Sequence, residues 1–346
     1  MTVKRLTFLR FTLSLYLMVL FSAGCKDKSV DENPKLTTLK ETRLGSLIAF
    51  SGGTVTTYNN ESVSSRGVCW SNTTTPTVND KKTVDGSGPG YFESTLQGLT
   101  PNTNYFLRMY AIINGKNNYG EVVLFKTTDI VKDIDGNIYN TVTIGKQVWT
   151  VENLSTTRYQ NGDLIGTTIP ANMDIKYETN PKYQWACDGD ISKAKKYGRL
   201  YTWYVVTDPR KICPVGWHIP SEDEWTTLQK YLIENRYNYD ELTQTNDIAK
   251  SLASPLGWGY SNQIGAPGND DYIKIANKTG FTALPAGFRD SEGKFQQFGH
   301  SGSWWSSSEE TYYKAYYRYI QFNRTDLTGS SNIEFCGASI RCVKDY

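Results

Sequence analysis

Short runs of β-branched and aromatic residues recur between residues 39 and 128, and turn residues separate each run from the next. Such runs, with turn signals at short intervals, are typical of an antiparallel β-sandwich. In the run TNYFLRMYAII, Leu107 and Met109 fall on one side of the predicted strand and Phe106 and Arg108 on the other, as a half-buried strand requires. We therefore predict an all-β sandwich over residues 39–128. The candidate strands are SLIAFSGGTVTTY, SVSSRGVCW, GYFESTLQGL, TNYFLRMYAII and EVVLFKTT.

Tyr105 stands at the start of a predicted strand, directly after the turn LTPNTN. This arrangement resembles the tyrosine corner of fibronectin type III domains, in which the Tyr side chain bonds back to the preceding turn. The resemblance implies a fibronectin type III-like sandwich. Cys69 is the only cysteine of this region, so we predict that it is a small buried core residue. A reactive thiol is the alternative.

Residues 1–24 have the pattern of an export signal. Positive residues within 4–10 precede an apolar run over 11–21, which is too short to span a bilayer comfortably as a helix. The following SAGC resembles the lipobox of bacterial lipoproteins, with Ser22 where leucine is commonest. The resemblance implies that Cys25 is acylated and anchors the chain to a lipid bilayer, at the outer membrane and cell surface of a Gram-negative bacterium. An ordinary secretory signal, with Cys25 incidental, is the alternative.

The charged run KDKSVDENPKL predicts a flexible tether over residues 25–38. The sandwich would then act as a spacer between this tether and a second domain over residues 129–346, and a ligand-binding sandwich is the alternative. The net charge is only +2, with Lys and Arg scattered among Asp and Glu. We therefore expect no nucleic-acid partner, because nucleic-acid binding needs a basic patch or stripe.

Six motifs occur in order across residues 129–346: DIDGNIYNTVTIGKQVWTVENL, YGRLYTWYVV, ICPVGWHIPSEDEWTTL, TGFTALPAGFRDSEGKF, SWWSSSEE and GASIRCVKD. Together they resemble the Fibrobacter succinogenes major paralogous domain, which is common in surface lipoproteins of Bacteroidetes-type bacteria. The family is similar to C-type-lectin-like folds. The resemblance therefore implies an α+β domain with a small mixed sheet, two helices and long irregular loops. No general enzymatic activity is attached to the family, so we expect no catalytic residues.

The third motif predicts the start of a helix. Ser221 and Glu224 have the spacing of a capping box, in which each side chain satisfies a backbone donor near the other. Trp225, Leu228 and Leu232 then lie on one face of the predicted helix. Other predicted elements are a hairpin over 138–151, a shorter helix from residue 246, an aromatic strand at TYYKAYYRYIQF and a last strand over 341–344.

His218 lies in the stiff segment that leads to this helix. Pro214 and Pro220 restrict the backbone on either side, and Trp217 is bulky enough to anchor the segment in the core. No Cys, Asp or Glu stands at metal-ligand spacing within the segment, and the chain has only two histidines. We therefore predict a structural histidine, with no metal and no other cofactor.

Four cysteines of the second domain remain for disulfides, which export permits, and four cysteines allow three pairings. The family motifs contain the positions of Cys213 and Cys342, so the resemblance implies a Cys213–Cys342 bridge. That leaves Cys187 and Cys336 as a second bridge. The alternative is a copper-thiolate oxidase of the formylglycine-generating type that uses Cys336 and Cys342. Their spacing is one residue longer than that enzyme pattern, so we favour the disulfides.

The EF-hand-like start DIDGN lacks its acidic twelfth residue, because Ile144 stands there. The calcium and sugar signatures of lectins are absent too, so we do not predict calcium-dependent sugar binding; a calcium ion in some other loop is the alternative. Adjacent strand residues face opposite sides, so we expect the core to hold Trp304 or Trp305.

The lectin-like resemblance implies a ligand face in the loop over residues 255–275, where aromatic rings can stack on sugars. We predict non-catalytic recognition of a glycan or protein; a purely structural or adhesive component is the alternative. The candidate ligand-binding residues are Trp258, Tyr260, Asp271, Tyr272 and Trp305.

Overall fold

The computed structural model describes residues 33–58 and 60–346. Residues 34–346 form one compact unit. The predicted export signal, the acylation site at Cys25 and most of the predicted tether lie outside the described residues. No helix of the described part combines the length and the apolar character that crossing a membrane requires.

The first part of the described chain consists of β1 (Lys35–Leu44), β2 (Ile48–Thr56), β3 (Val63–Ser71), β4 (Lys81–Lys82), β5 (Gly90–Gln97), β6 (Asn104–Ile113), β7 (Lys116–Tyr119) and β8 (Val123–Lys126). Strands β1, β2 and β5 form one sheet, and β4, β3, β6, β7 and β8 form the second. All five predicted runs form strands. Strand β1 begins at Lys35, inside the predicted tether, because residues 35–39 pair with residues 52–56 of β2.

The two sheets bury a shared core. Leu96 of β5, Val68 of β3 and Leu107 of β6 are fully buried in it. The Tyr105 hydroxyl accepts a hydrogen bond from the Thr100 backbone N–H at 3.0 Å, which confirms the predicted tyrosine corner.

Cys69 in β3 is a free, buried thiol. Burial raises the pKa of this thiol to about 11, so it stays protonated at neutral pH. Its buried position is the one predicted for a small core residue.

The second part has the strands β9 (Val131–Lys132), β10 (Ile138–Tyr139), β11 (Thr141–Ile144), β12 (Gln147–Thr150), β13 (Gln184–Ala186), β14 (Arg199–Tyr201), β15 (Trp217–His218), β16 (Phe288–Arg289), β17 (Phe295–Gln296), β18 (Ser301–Thr311), β19 (Lys314–Gln321), β20 (Thr328–Ile333) and β21 (Val343–Lys344). Its helices are α1 (Ala194–Tyr197), α2 (Trp203–Val206), α3 (Glu222–Glu234) and α4 (Ala249–Leu252), and its 3-10 turns are Cys187–Gly189, Ile191–Lys193 and Ile273–Ile275. The larger sheets are β11-β12-β21-β15 and β18-β19-β20.

Helix α3 begins as predicted. The Ser221 hydroxyl accepts from the Glu224 backbone N–H at 3.2 Å, and the Glu224 carboxylate accepts from the Ser221 backbone N–H at 2.8 Å. This is the predicted capping box. Trp225, Leu228 and Leu232 are fully buried, and the Trp225 ring packs 4.7 Å from that of Trp149 in β12.

The predicted second helix is a single turn, α4, and it starts at Ala249 rather than at Asn246. The side chain of Asn246 instead donates a hydrogen bond to the Leu327 carbonyl at 2.9 Å and accepts one from the Leu327 N–H at 3.4 Å. A tertiary contact therefore uses the amide that would have capped the longer helix.

A disulfide joins Cys213 to Cys342, whose Cα atoms are 6.0 Å apart. It ties the segment before β15 to the segment before β21, and these strands pair with each other. The predicted Cys213–Cys342 bridge is confirmed.

The predicted bridge between Cys187 and Cys336 is wrong, because both are free and buried. The Cys187 thiol donates to the Ala286 carbonyl at 2.9 Å, and the Cys336 thiol contacts the Asn332 side-chain oxygen at 3.5 Å. The two sulfurs therefore have separate partners.

The sandwich is hydrogen-bonded to the second part of the chain. The Ser46 backbone N–H donates to the Thr141 carbonyl at 3.0 Å, and the Ser46 hydroxyl donates to the Asn140 side chain at 2.9 Å. Lys278 pairs with Glu93 at 3.4 Å. Two hydrogen bonds of Ser46, in the turn after β1, and one ion pair therefore hold the sandwich against the second part of the chain.

Candidate functional site

The sheet β18-β19-β20 has two faces of different chemistry. Because side chains alternate along a strand, Trp304 and Ile320 face one hydrophobic cluster, whereas Trp305 belongs to the other. Both tryptophans are fully buried, which meets the expectation for the core. The second face carries three cross-strand pairs, which are Ser301–Gln321, Ser303–Tyr319 and Trp305–Tyr317.

These three pairs form one wall of a cavity of about 300 Å³. Gln297, Asn332 and Cys336 also line it. We call it the aromatic–amide cavity, defined by the three pairs together with Gln297 and Asn332. It lies on the side of the sheet opposite Trp304.

The aromatic rings of this wall are held in place. The Tyr317 and Tyr319 rings lie nearly parallel, with centroids 5.4 Å apart and planes inclined by 21°. The Trp305 ring stands edge-on to Tyr317, and its N–H donates to the Tyr201 carbonyl at 2.7 Å. The tyrosines are half-buried whereas Trp305 is fully buried. Two half-buried phenol rings thus line the cavity, and the buried Trp305 indole packs against one of them.

Polar groups surround these rings. The side-chain amides of Gln297 and Gln321 form no hydrogen bond with any other described residue, although both line the cavity. Each amide offers two donors and one acceptor oxygen. The hydroxyls of Ser301 and Ser303 lie 3.3 Å apart. Aromatic faces beside unpaired amides and a pair of serine hydroxyls can bind a ligand that has apolar C–H faces and polar edges.

Cys336 is the one ionisable sulfur of this wall among the described residues. Burial raises the pKa of its thiol to about 12, so the thiolate, which is the nucleophile and metal ligand, is scarce at neutral pH. Cys342, the second thiol of the oxidase alternative, is bonded to Cys213. The cysteine pair of that alternative is therefore not present as two free thiols.

Of the predicted ligand residues, only Trp305 lines the aromatic–amide cavity. Trp258 is half-buried and packs against the hydrophobic cluster of α3. Asp271 pairs with the buried Lys250 ammonium at 3.3 Å, so its carboxylate already has a partner. Tyr260 and Tyr272 are exposed on the predicted loop. The structure does not bring these four residues together with Trp305 in one cavity.

His218 lies between two carboxylates. Its Nδ1 is 2.6 Å from Asp345 and its Nε2 is 2.8 Å from Glu224, the capping residue of α3. Burial lowers the pKa of His218, but the hydrogen bonds and charges of Asp345 and Glu224 together outweigh it and raise the pKa. The imidazole therefore ties the start of α3 to the chain end. In residues 33–58 and 60–346, no group of three His, Cys, Asp or Glu side chains is placed to hold a metal ion.

Sequence reasoning missed a buried cation next to the disulfide. Arg341 is fully buried, and its guanidinium lies 4.1 Å from the centre of the Phe281 ring. It donates hydrogen bonds to the backbone carbonyls of Thr150, Phe281 and Thr282 and to the Asn153 side chain. The single charged residue inside the otherwise uncharged run GASIRCV is the signal that could have indicated it.

The comparison with family models decides the classification. The model of the Fibrobacter succinogenes major domain matches residues 142–344, which is more than half of the chain. The chain belongs to the Fibrobacter succinogenes major domain family. In this family member, the matched segment contains the aromatic–amide cavity, the Cys213–Cys342 disulfide and helix α3.

Solved structures that match the chain include a sensor domain and fibronectin type III domains. The sensor domain of the anti-sigma factor RsgI4 from Pseudobacteroides cellulosolvens is 18% identical, with a TM-score of 0.21, over 28% of this chain and 95% of its own. The sixth fibronectin type III domain of human fibronectin type III domain containing protein 3 is 20% identical, with a TM-score of 0.21, over 29% of this chain and 92% of its own. No curated protein matches the chain.

Proposed function

We propose that this chain is a surface lipoprotein whose C-terminal domain binds a glycan in the aromatic–amide cavity without catalysing a reaction. The observation that carries the proposal is one wall on which the Tyr317 and Tyr319 rings stand beside the unpaired amide of Gln321. Sugars present apolar C–H faces and hydroxyl edges, and this wall offers a partner for each.

The volume of the cavity restricts the size of the ligand. Small-molecule sites occupy about 300–1,000 Å³ and combine apolar walls with a few placed polar groups. A cavity of about 300 Å³ suits a single sugar ring at the end or side of a chain. The phenol rings would stack on it, and Gln297 and Gln321 would bind its hydroxyls.

The remaining parts present this head at the outer membrane. Acylation of Cys25 would anchor the chain, residues up to the start of β1 would form the tether, and the fibronectin type III-like sandwich would be the spacer. The head itself is proposed to be C-type-lectin-like, on the strength of its ordered motifs. Labelling of growing cells with radioactive palmitate tests the anchor, and a Cys25→Ser chain should carry no label.

The state of the cysteines argues against the copper-thiolate oxidase alternative. The protonated Cys336 thiol and the disulfide-bonded Cys342 leave no pair of thiolates for copper. A purified chain that binds Cu(I) stoichiometrically and oxidises a cysteine-containing peptide would favour the oxidase instead.

A glycan array tests the proposed ligand class. The full chain should be solubilised in a detergent without a sugar headgroup, because a glucoside or maltoside would compete for the cavity. We expect a defined subset of glycans to bind, and Tyr319→Ala to lose them. Tyr316→Ala is the matched control because Tyr316 lies on the same strand but does not line the cavity.

The Tyr260→Ala variant separates this site from the predicted loop. Because Tyr260 is exposed and lines neither described cavity, glycan binding should survive its loss. Loss of binding in Tyr260→Ala with retention in Tyr319→Ala would place the site in the loop. A complete lack of binding by the wild-type chain would leave the structural or adhesive alternative.

A further inference from the structure

A second cavity, of about 350 Å³, lies between helix α2 and the turn that joins β18 to β19. Its lining residues include Tyr204 of α2, Tyr312 and Tyr313 of the turn, and the carboxylates of Glu309 and Glu334. It shares no lining residue with the aromatic–amide cavity. We call it the acidic–aromatic cavity.

Glu334 is the unusual member of this cavity. It is only 3% exposed, and its Oε1 atom has no hydrogen-bond partner among the described residues. Its backbone is fixed on both sides, because its N–H donates to the Tyr313 carbonyl at 3.2 Å and its carbonyl accepts from the Trp203 N–H at 3.0 Å. A buried carboxylate oxygen without a partner is costly, so a ligand that supplies a donor would remove that cost.

The charges around the cavity do not supply this donor. Lys182 lines it, but the Lys182 ammonium pairs with Asp208 at 2.8 Å, and Asp208 also pairs with Arg210. No ion pair joins Glu309 or Glu334 to a cation of the described residues. Burial raises the pKa of Glu334, the Tyr204 hydroxyl lowers it through a hydrogen bond, and the nearby Glu309 charge raises it again. The two carboxylates thus act on each other without an intervening cation.

Tyrosine rings also line the acidic–aromatic cavity. The centroids of the Tyr312 and Tyr313 rings lie 3.9 Å apart. Tyr312 is 78% exposed and Tyr313 is 49% exposed. The Tyr204 ring packs edge-on against Phe335. The faces of aromatic rings attract cations within about 6 Å, and the attraction is strongest where water is excluded.

We propose that the acidic–aromatic cavity binds the primary ammonium group of a ligand, with Glu334 Oε1 accepting a hydrogen bond from it and the tyrosine rings lining its alkyl or sugar stem. An organic cation fits better than Ca²⁺, which takes about six to eight oxygen ligands. The third carboxylate of the lining, Asp208, is already paired with Lys182 and Arg210, and the remaining two carboxylates with the phenol rings offer fewer oxygens. An amino sugar and a lysine side chain carry the same ammonium chemistry. The experiment therefore distinguishes these two sources.

The probes are D-glucosamine and Nα-acetyl-L-lysine methylamide, each compared with its neutral N-acetylated counterpart, and CaCl₂ alone. Binding to the full chain is followed by ligand-observed and protein-observed NMR. We expect one ammonium probe to bind with a dissociation constant on the order of 1 mM or below. Its acetylated counterpart should bind at least about tenfold more weakly, because acetylation removes the charge and two of the three N–H donors.

Glu334→Gln is the decisive variant. It keeps the size of the side chain and an acceptor for the Tyr204 hydroxyl but removes the charge, so affinity should fall at least about tenfold. Glu310→Gln is the matched control, since Glu310 is an exposed neighbour that does not line the cavity, and it should bind as the wild type does. Tyr312→Ala, at an exposed position, should weaken binding without a risk to folding.

Several results would overturn the proposal. These are equal binding by wild type and a folded Glu334→Gln chain, equal binding of the neutral counterparts, no binding of either ammonium probe, or displacement of the probe by Ca²⁺. If Glu334→Gln fails to fold by thermal unfolding, Tyr312→Ala decides: unchanged affinity in that variant would equally contradict the site. The affinities are read from the NMR resonances of residues that line the acidic–aromatic cavity, such as Tyr312 and Glu334, so a sugar probe that enters the aromatic–amide cavity is counted separately.

Discussion

The indole ring of Trp305 meets the phenol ring of Tyr317 edge-on, with centroids 6.1 Å apart and planes at 69°. The two residues are direct cross-strand partners in β18 and β19. The wall of the aromatic–amide cavity therefore depends on strand register. A slip of one residue would move all three cavity-facing pairs to the other face of the sheet.

The Cys213–Cys342 disulfide should contribute strongly to stability. It closes a loop with a sequence separation of 129 residues, and the chain-entropy model gives up to about 5 kcal/mol for a loop of that size. The double variant Cys213→Ala/Cys342→Ala should lose most of this in the free energy of unfolding, measured with urea. An equally stable double variant would contradict a structural role.

A thiol count provides the control for this bridge. In the denatured but unreduced chain, Cys69, Cys187 and Cys336 should react with a thiol reagent, apart from any contribution of Cys25. If Cys187 and Cys336 were bridged after all, only Cys69 of these three would react.

Local sequence patterns were sufficient to predict several secondary-structure elements. The alternation in the run around Leu107 predicts its strand, and the Ser221–Glu224 spacing predicts the helix start, because both depend on residues close in sequence. The tyrosine corner at Tyr105 is also local, since its partner Thr100 lies in the preceding turn.

Such local patterns do not predict contacts between residues that are far apart in the sequence. Nothing in the sequence indicates that Cys187 faces the Ala286 carbonyl rather than Cys336. The cavity was missed for the same reason, because local patterns do not show that β18 and β19 pair with Trp305 opposite Tyr317 and Ser303 opposite Tyr319. The aromatic residues of the loop around Tyr260 were equally good candidates for ligand binding, because the amino-acid composition does not show which rings line the same cavity.

Arg341 should be essential to the core near the disulfide. Arg341→Met would remove hydrogen bonds to the Asn153 side chain and to the carbonyls of Thr150, Phe281 and Thr282. Hydrogen bonds of charged groups contribute about 1.5–3 kcal/mol each. We therefore expect a loss of at least about 3 kcal/mol in the free energy of unfolding.

Arg324→Met is the matched control for this variant. Arg324 is exposed and pairs only with its neighbour Asp326, and an exposed pair contributes at most about 1 kcal/mol. Wild-type stability in Arg341→Met would mean that methionine packs in the buried site as well as the guanidinium does.

His218 should make stability depend on pH. Because Asp345 and Glu224 raise its pKa in the folded state, folding favours the protonated imidazole. The extra stability is fully present below the unfolded pKa of about 6.5 and is lost as pH rises through the higher folded pKa. His218 is 39% exposed, so the effect should stay below about 1 kcal/mol.

The check is thermal unfolding of wild type and His218→Gln between mildly acidic and mildly alkaline pH, with an NMR titration of the imidazole. The difference between the two chains should shrink as pH rises, and the His218 midpoint should exceed about 6.5. His300→Gln is the control because His300 contacts a backbone carbonyl and no carboxylate. A His218 midpoint below that value would contradict the double carboxylate contact.

Isothermal titration calorimetry with a glycan identified on the array tests the central claim most directly. Gln321→Ala and Tyr319→Ala, which alter the two kinds of contact on the aromatic–amide wall, should each weaken binding at least about tenfold. Tyr316→Ala, on the other side of β19, should leave the dissociation constant unchanged. Equal dissociation constants for wild type, Gln321→Ala and Tyr319→Ala would show that the glycan binds elsewhere and that this wall only holds the fold together.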